Sequence, residues 1–249
     1  MDEEVKERLA KIISNRGICS RRDAEKLILA GKVKVKGQLW TSLSEKVSPR
    51  APLEVSGESI PAPDHSFNPR LWLYHKPLGL ICSHKDPEGR PSVFSSISTL
   101  HPHLPRLISV GRLDLNTEGL LLLTNKGSLA RKLELPSTAW KRKYRVRVFG
   151  TLTATAQRQI QKGISINGIH YRPIECRTYP SEGRNQWIDL TLQEGKNREI
   201  RNIMEHFNLP INRLIRTAYG PFQLGNLLKN HIKEVSHKVT DEQIGNLCE

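Results

Sequence analysis

Little in this sequence would staple it or anchor it. Its four cysteines, Cys19, Cys82, Cys176 and Cys248, stand far apart and form no Cys-x-x-Cys pair. Neither a disulfide framework nor a zinc ribbon follows, and a reducing cytoplasm is the natural setting. The nine histidines and the carboxylates form no cluster with ligand spacing, so metal hydrolysis is disfavoured and no metal is expected. No apolar run approaches the roughly 20 residues that cross a bilayer, and Met1-Asp2-Glu3-Glu4 has no apolar signal core. The expectation is a soluble, cytoplasmic protein with no membrane partner. Acids are scarce too: 25 Asp+Glu against 39 Lys+Arg leave a formal net charge of +14. Such an excess favours a polyanionic partner through counterion release, without saying which. The 249 residues leave room for one large domain and a small one.

What the sequence does have is a dense central stretch, residues 109–125. A short apolar segment breaks at Gly111, and Leu120 to Leu123 follow, bounded by Thr124-Asn125. Four leucines between turn residues fit a strand buried on both faces, although periodicity alone also permits a helix. Between the two segments lies one carboxylate, Asp114, two residues from Arg112. Rigid flanking strands would suit a site that needs one aimed carboxylate. By residue type alone, Asp114 and Asn116 read equally well as turn formers.

Upstream, Leu9, Ile12 and Ile13 make a helical stripe that ends at Gly17, a residue suited to a left-handed cap. Ser20 stands as N-cap before Arg21-Arg22-Asp23, and Ala24, Leu27 and Ile28 line a second helix. Residues 32–36 then alternate Lys-Val-Lys-Val-Lys, the pattern of a half-buried or a solvated strand. Arg21 and Arg22 oppose the dipole at a helix start, a small cost that phosphate binding there would offset. Residues 57–69, with Gly57, Pro61 and Pro63, read as a linker. The division expected is 1–56, a linker at 57–69, and 70–249.

In the larger part, strands are expected at 71–74, 81–83, 140–150, 164–166, 171–177 and 187–192, with helices at 128–133 and 153–162. Glu194-Gly195-Lys196-Asn197-Arg198-Glu199-Ile200-Arg201 leads into a third helix, striped by Ile200, Ile203, Met204 and Phe207. Lys196, Arg198 and Arg201 crowd that helix start, which suggests an anionic target or a carboxylate partner. Many strands with few helices between them predict an α+β protein with a mixed, largely antiparallel sheet. The tail from His231 carries no clear signal.

Gly-Arg-Leu-Asp-x-x-Thr-x-Gly-Leu-Leu at residues 111–121 resembles the signature of the RsuA/RluB/RluE/RluF group of pseudouridine synthases. Ser-Arg-Arg-x-Ala-Glu at 20–25, inside the first quarter of the chain, resembles an S4 RNA-binding domain. Lys36 departs from the Asn or Asp usual there before glycine, and 44–47 lacks a glycine usual before the last strand. The resemblance implies a pseudouridine-synthase domain behind a small S4 module. Asp114 would be the catalytic residue. Tyr144, at the family's Lys-x-Tyr-x-Val position, would stack on the target base, although it reads equally as a core aromatic. Arg201, closing Gly-Lys-Asn-Arg-x-Ile-Arg, would ion-pair with Asp114. Substrate contacts are expected from Arg112, Leu113, Thr117, Lys196, Arg198, Ile200 and Ile215, and from Arg21 and Arg22 in the S4 module. Asn202 stands where the family commonly has a further arginine.

The activity implied is isomerisation of a uridine, with no group gained or lost, hence no cofactor. Asp86-Pro87-Glu88-Gly89-Arg90-Pro91 and residues 183–187 lean toward the RluB-like branch, so the expected partner is large-subunit (23S) ribosomal RNA, met by a monomer. Two alternatives stand beside it: an RsuA-like enzyme of small-subunit (16S) RNA, and a non-catalytic S4-type assembly factor.

Overall fold

In the computed structural model, which describes residues 6–62 and 69–248, the chain divides into two compact units. One comprises Met1–Pro69 with Asn125–Gly127, and the other Arg70–Thr124 with Ser128–Glu249.

The smaller unit runs β1 (Glu7–Arg8), α1 (Leu9–Asn15), α2 (Arg21–Leu29), β2 (Val33–Val35), β3 (Gln38–Leu39), β4 (Lys46–Val47), β5 (Leu53–Val55) and β6 (Glu58–Ile60). Ser20 caps α2 by accepting from the Asp23 amide. Ala24 and Ile28 of α2 and Ile13 of α1 bury completely against Val33 of β2. A four-stranded sheet, β3-β2-β5-β6, backs the two helices. Lys36 and Gly37 both take positive φ, 52° and 81°, in the two-residue β2–β3 turn. Lysine thus occupies a left-handed position that asparagine or glycine fills at less cost. The expected linker starts too early: Gly57 turns a hairpin and Glu58–Ile60 pairs with β5. Residues 63–68 of that linker lie outside the described residues.

The larger unit contains β7 (Leu71–Lys76), α3 (Val93–Leu100), β8 (Ile108–Val110), β9 (Glu118–Thr124), α4 (Gly127–Glu134), β10 (Arg142–Phe149), α5 (Ala154–Lys162), β11 (Ile164–Ile166) and β12 (Ile169–Tyr171). It continues with β13 (Glu175–Glu182), β14 (Asn185–Leu192), α6 (Glu199–His206), β15 (Ile211–Tyr219), β16 (Phe222–Gln223), β17 (Ile232–Glu234) and α7 (His237–Cys248). Its main sheet has the order β13-β14-β10-β15-β9-β7-β17, with β8 beside β9 and β16 beside β15. The β15–β9 pairing is parallel and the others are antiparallel. This is the mixed, largely antiparallel α+β architecture.

β9 is the leucine strand, and every one of its residues is buried. Leu120 and Leu122 face the core under α4, while Leu121 and Leu123 face Trp72, Tyr74 and Phe94. A separate core beneath the other half of the sheet joins Val146 and Val148 of β10 to Ile188 of β14, Ile160 of α5 and Ile203 of α6.

Three expectations need correction. Residues 81–83 form no strand; Ile81 makes an isolated bridge to Ser92, ahead of the helix α3. Residues 171–177 are not one strand, because Tyr171 ends β12 and Glu175 begins β13. Between them Pro173 has no amide hydrogen for a ladder. The uninformative tail supplies β17, an edge strand on β7, and α7, whose Ile244 reaches the core beneath Leu120.

Candidate active site

Asp114 sits on the loop from β8 to β9, and that loop is held from below by groups the central motif does not contain. Gly111 turns the chain with φ 67°, and its amide donates to Glu134 Oε1 at 2.7 Å. The backbone of Leu113 brackets Cys82 Sγ, its N–H and C=O each 3.4 Å away. A turn closes when the Thr117 amide donates to the Asp114 carbonyl at 3.0 Å. Beneath it lies Lys76, fully buried, whose Nζ donates to the carbonyls of Thr117 at 2.8 Å, Pro77 at 3.0 Å and Leu115 at 3.4 Å. Burial pushes the Lys76 ammonium down to about 8 against the opposing pull of Cys82, Asp114 and Glu118. The lysine thus works as a three-way clamp on the loop that presents Asp114.

Where the loop joins β9, Gly119 (φ 108°) passes so close to β15 that a Cβ would lie 2.3 Å from the Arg216 carbonyl oxygen. Glycine is required there both for its φ and for the approach. Next to it Glu118 is fully buried between Arg213 and Lys229, the latter at 2.7 Å. Burial would push this carboxyl up, but hydrogen bonds from both cations outweigh it and hold the group below its ordinary value.

Arg201 approaches Asp114 from the first turn of α6. Its Nε lies 3.9 Å from Asp114 Oδ2, and its Nη2 donates to the Asn116 carbonyl at 2.7 Å and meets Thr117 Oγ1 at 3.5 Å. Nε is buried and makes no hydrogen bond. Burial lowers the guanidinium's pKa, the neighbouring Arg198 lowers it further, and Asp114 raises it. Arg198 takes a left-handed conformation, φ 51°, as it leads into α6. Around this pair opens a cavity of about 580 Å³. The loop contributes Arg112, Leu113, Asp114 and Thr117 to its wall; β10 contributes Tyr144, and the α6 segment Lys196, Arg198, Ile200 and Arg201.

Two expected contacts sit differently. Ile215 does not line the cavity; Leu214 and Arg216 do. Strand residues alternate between faces, so the expectation missed by one pleat. Lys196 lines the cavity but is already engaged, donating to Glu194 Oε1 at 3.0 Å and to the His170 carbonyl, with Tyr171 beneath it. Asn202 turns away to the Tyr171 hydroxyl at 3.0 Å. Arg21 and Arg22 are exposed at the start of α2 in the smaller unit.

The sequence reading missed Lys76, Arg142, Arg216 and Glu199. Arg142 and Arg216 both lie over the Tyr219 ring, at 4.9 and 5.1 Å. Arg216 is almost wholly buried, its Nε donating to the Leu120 carbonyl at 2.7 Å while Nη2 has no partner. Glu199 is buried in the cavity wall. Desolvation and the nearby Glu194 carboxylate push it up to about 7, although the Lys196 amide donates to it at 3.1 Å. Nothing in the residue spacing marked these four. Among the described residues, no group of three or more His, Cys, Asp or Glu is placed to hold a metal.

The structure thus sets an aspartate against a buried arginine, beside a tyrosine, in the cavity of a mixed sheet. Comparison with known proteins gives the class of enzyme. The family model for RNA pseudouridylate synthase matches residues 70–206 and that for the S4 domain residues 7–51, and the chain belongs to the RNA pseudouridylate synthase family. An uncharacterized RNA pseudouridine synthase of Rickettsia felis is 50% identical over 95% of this chain and 100% of its own length. The ribosomal large subunit pseudouridine synthase B of Salmonella typhimurium is 38% identical over 88% of this chain and 75% of its own length. A crystal structure of a pseudouridylate synthase superposes with a TM-score of 0.64 over 95% of this chain and 99% of that one. At 22% identity, that likeness speaks for the fold alone.

Proposed function

We propose that this protein converts a uridine of large-subunit (23S) ribosomal RNA to pseudouridine, with Asp114 as the nucleophile. The observation that carries the reading is the Asp114–Arg201 pair, 3.9 Å apart in a cavity walled by Tyr144. The large-subunit target rests on the relatives whose names specify that subunit.

The reaction breaks the bond from N1 to C1′, turns the uracil, and joins C5 to C1′. The proton lost from C5 balances the one gained at N1, so atoms and electrons close without an external reagent. The protein must therefore supply a nucleophile, hold a detached base and exclude water meanwhile. Reaching Asp114 requires the target to leave its stack. Tyr144 supplies a flat face for it, a contact worth about 1–3 kcal/mol per base, while Leu113, Ile200 and Leu214 give apolar walls. Arg201, tied to Asn116 and Thr117, orients Asp114 and keeps a cation beside it once a bound base has displaced water from the cavity. Thr117 links that arginine to the loop. Arg112 and Arg198 are exposed on the rim and suit phosphates, as do Arg21 and Arg22. A cytoplasmic monomer completes the reading.

The test is a pseudouridine map of ribosomal RNA from cells with and without the protein, complemented by wild type or by Asp114→Asn. One large-subunit site should disappear, return with wild type, and stay absent with a variant that still folds and binds RNA. A site lost from small-subunit RNA would move the assignment to that subunit. Restoration by Asp114→Asn would overturn the role of the aspartate.

A further inference from the structure

The strand alternation that puts Tyr144 in the cavity sends Lys143, Arg145 and Arg147 to the opposite face of β10. Register extends that face across four strands. Arg145 stands between Asp189 of β14 and Ile215 of β15, Arg147 between Trp187 and Arg213, and Arg177 of β13 beside Asp189. The cores under this half of the sheet lie on the other side. Here, by contrast, Lys143, Arg145, Arg177 and Arg213 are exposed and Trp187 is half-buried.

The acids on this face are already paired: exposed Glu175, in register with Thr191 beside Lys143, takes Lys141 at 2.6 Å. Asp189 receives Arg145 at 2.9 and 3.1 Å and the Tyr179 hydroxyl at 2.7 Å. Buried Glu118 binds Arg213 and Lys229. Among the described residues Lys143, Arg147 and Arg177 form no salt bridge, and the Arg147 Nε is buried without a hydrogen-bond partner. Arg145 and Arg177 both sit over the Tyr179 ring, at 5.5 and 5.2 Å, which holds two guanidinium groups together despite their repulsion. A groove of about 770 Å³ is lined by Lys143, Arg177 and Asp189 of this face and reaches Tyr144, Cys176 and Leu190 of the other.

We propose that this uncovered face of β13-β14-β10-β15 is a second RNA-docking surface, which takes the phosphate backbone of a helix distinct from the segment holding the target uridine. Charge complementarity selects the occupant. Lys143, Arg147 and Arg177, which form no salt bridge among the described residues, lie beside Arg145 on one sheet face and match a line of phosphates. The surface accounts for Trp187, which stands beside Arg147 on β14 just past the turn at 183–184 and is remote from Asp114 in the strand register. The inference rests on the chain acting on RNA and not on which ribosomal subunit it modifies.

Full-length protein is titrated with an RNA hairpin of G·C pairs that contains no uridine, across a salt series. Lys143→Gln/Arg177→Gln should weaken binding several-fold. The slope of log affinity against log salt should fall by about 1.8, because each phosphate contact contributes about 0.9. Arg177→Gln alone should show about half of that. Arg158→Gln/Lys162→Gln, exposed cations on α5, should leave the slope unchanged. Superimposable salt curves for wild type and the sheet double variant would overturn the proposal. An equal loss in the α5 pair would reduce it to net charge and overturn it too. If the sheet variant instead loses competition by polyglutamate and keeps its RNA slope, the occupant is an acidic protein and RNA is wrong. Because the hairpin offers no uridine, none of these outcomes depends on Asp114 chemistry.

Discussion

Glu199→Gln offers a test with a definite sign. In the native protein Glu199 is buried beside Glu194, whose charge is held by the Arg172 amide and by Lys196 Nζ at 3.0 Å. Glu199 therefore keeps its proton up to about 7, whereas an ordinary glutamate releases it at 4.5. Between those values the native state binds more protons than the unfolded chain, so stability falls as pH rises. The contribution is complete below about 4.5 and lost as pH climbs through about 7. At about 1.4 kcal/mol per pH unit, the gap sets a ceiling of about 3 kcal/mol. Glutamine keeps an oxygen to accept the Lys196 amide and removes the ionisation. The assay is denaturant unfolding at pH 5 and pH 8, followed by tryptophan fluorescence, since Trp72, Trp140 and Trp187 all lie in the larger unit. Wild type should lose about 2–3 kcal/mol relative to Glu199→Gln between the two pH values. Parallel pH dependences in the two proteins would refute the reasoning.

Other variants separate positioning from chemistry. Arg201→Ala should lower the single-turnover rate at saturating RNA by about 100-fold or more, whereas Arg198→Ala should weaken binding and flatten its salt dependence with that rate nearly intact; the reverse pattern would exchange their roles. Lys76→Met strips the clamp from three carbonyls, so about 2–4 kcal/mol of stability should go and the amides of residues 113–117 should exchange faster, with wild-type protection counting against the clamp. Gly119→Ala meets the Arg216 backbone and a φ of 108° at once; a loss of about 4 kcal/mol or more is expected, and a soluble variant with an unchanged unfolding midpoint would contradict it.

Much of this could be read from residues because local and tertiary demands coincide. The run Leu120–Leu123 is bounded by turn residues, and its burial on both faces follows once neighbours stand on either side. Ser20 caps α2 through contacts three residues apart, which a linear pattern records. The expected nearness of Asp114 and Arg201 came from the family's motifs, since the two are 87 positions apart in the chain and no periodicity connects them. Lys76 and Arg216 were not legible for a related reason. Their partners are main-chain carbonyls, at Leu115, Thr117 and Leu120, and a carbonyl leaves no mark on residue identity.

Ile215 shows where such reading stops. A motif correctly marks a segment as adjoining a pocket but does not say which pleat faces it. β15 runs parallel to β9 at Ile215–Glu118 and Arg216–Gly119 and antiparallel to β10 with shifts at Lys143/Tyr144 and Arg147/Val148. Each shift moves the register by a residue, and one residue exchanges the faces. The result sets Leu214 and Arg216 on the cavity side and Ile215 among the arginines behind it. Ile215 stands in register with Glu118, whose carboxylate takes Arg213 and Lys229. With Asp189 taken by Arg145 and Tyr179 and Glu175 by Lys141, Lys143, Arg147 and Arg177 are left among the described residues as cations of this face without a salt bridge.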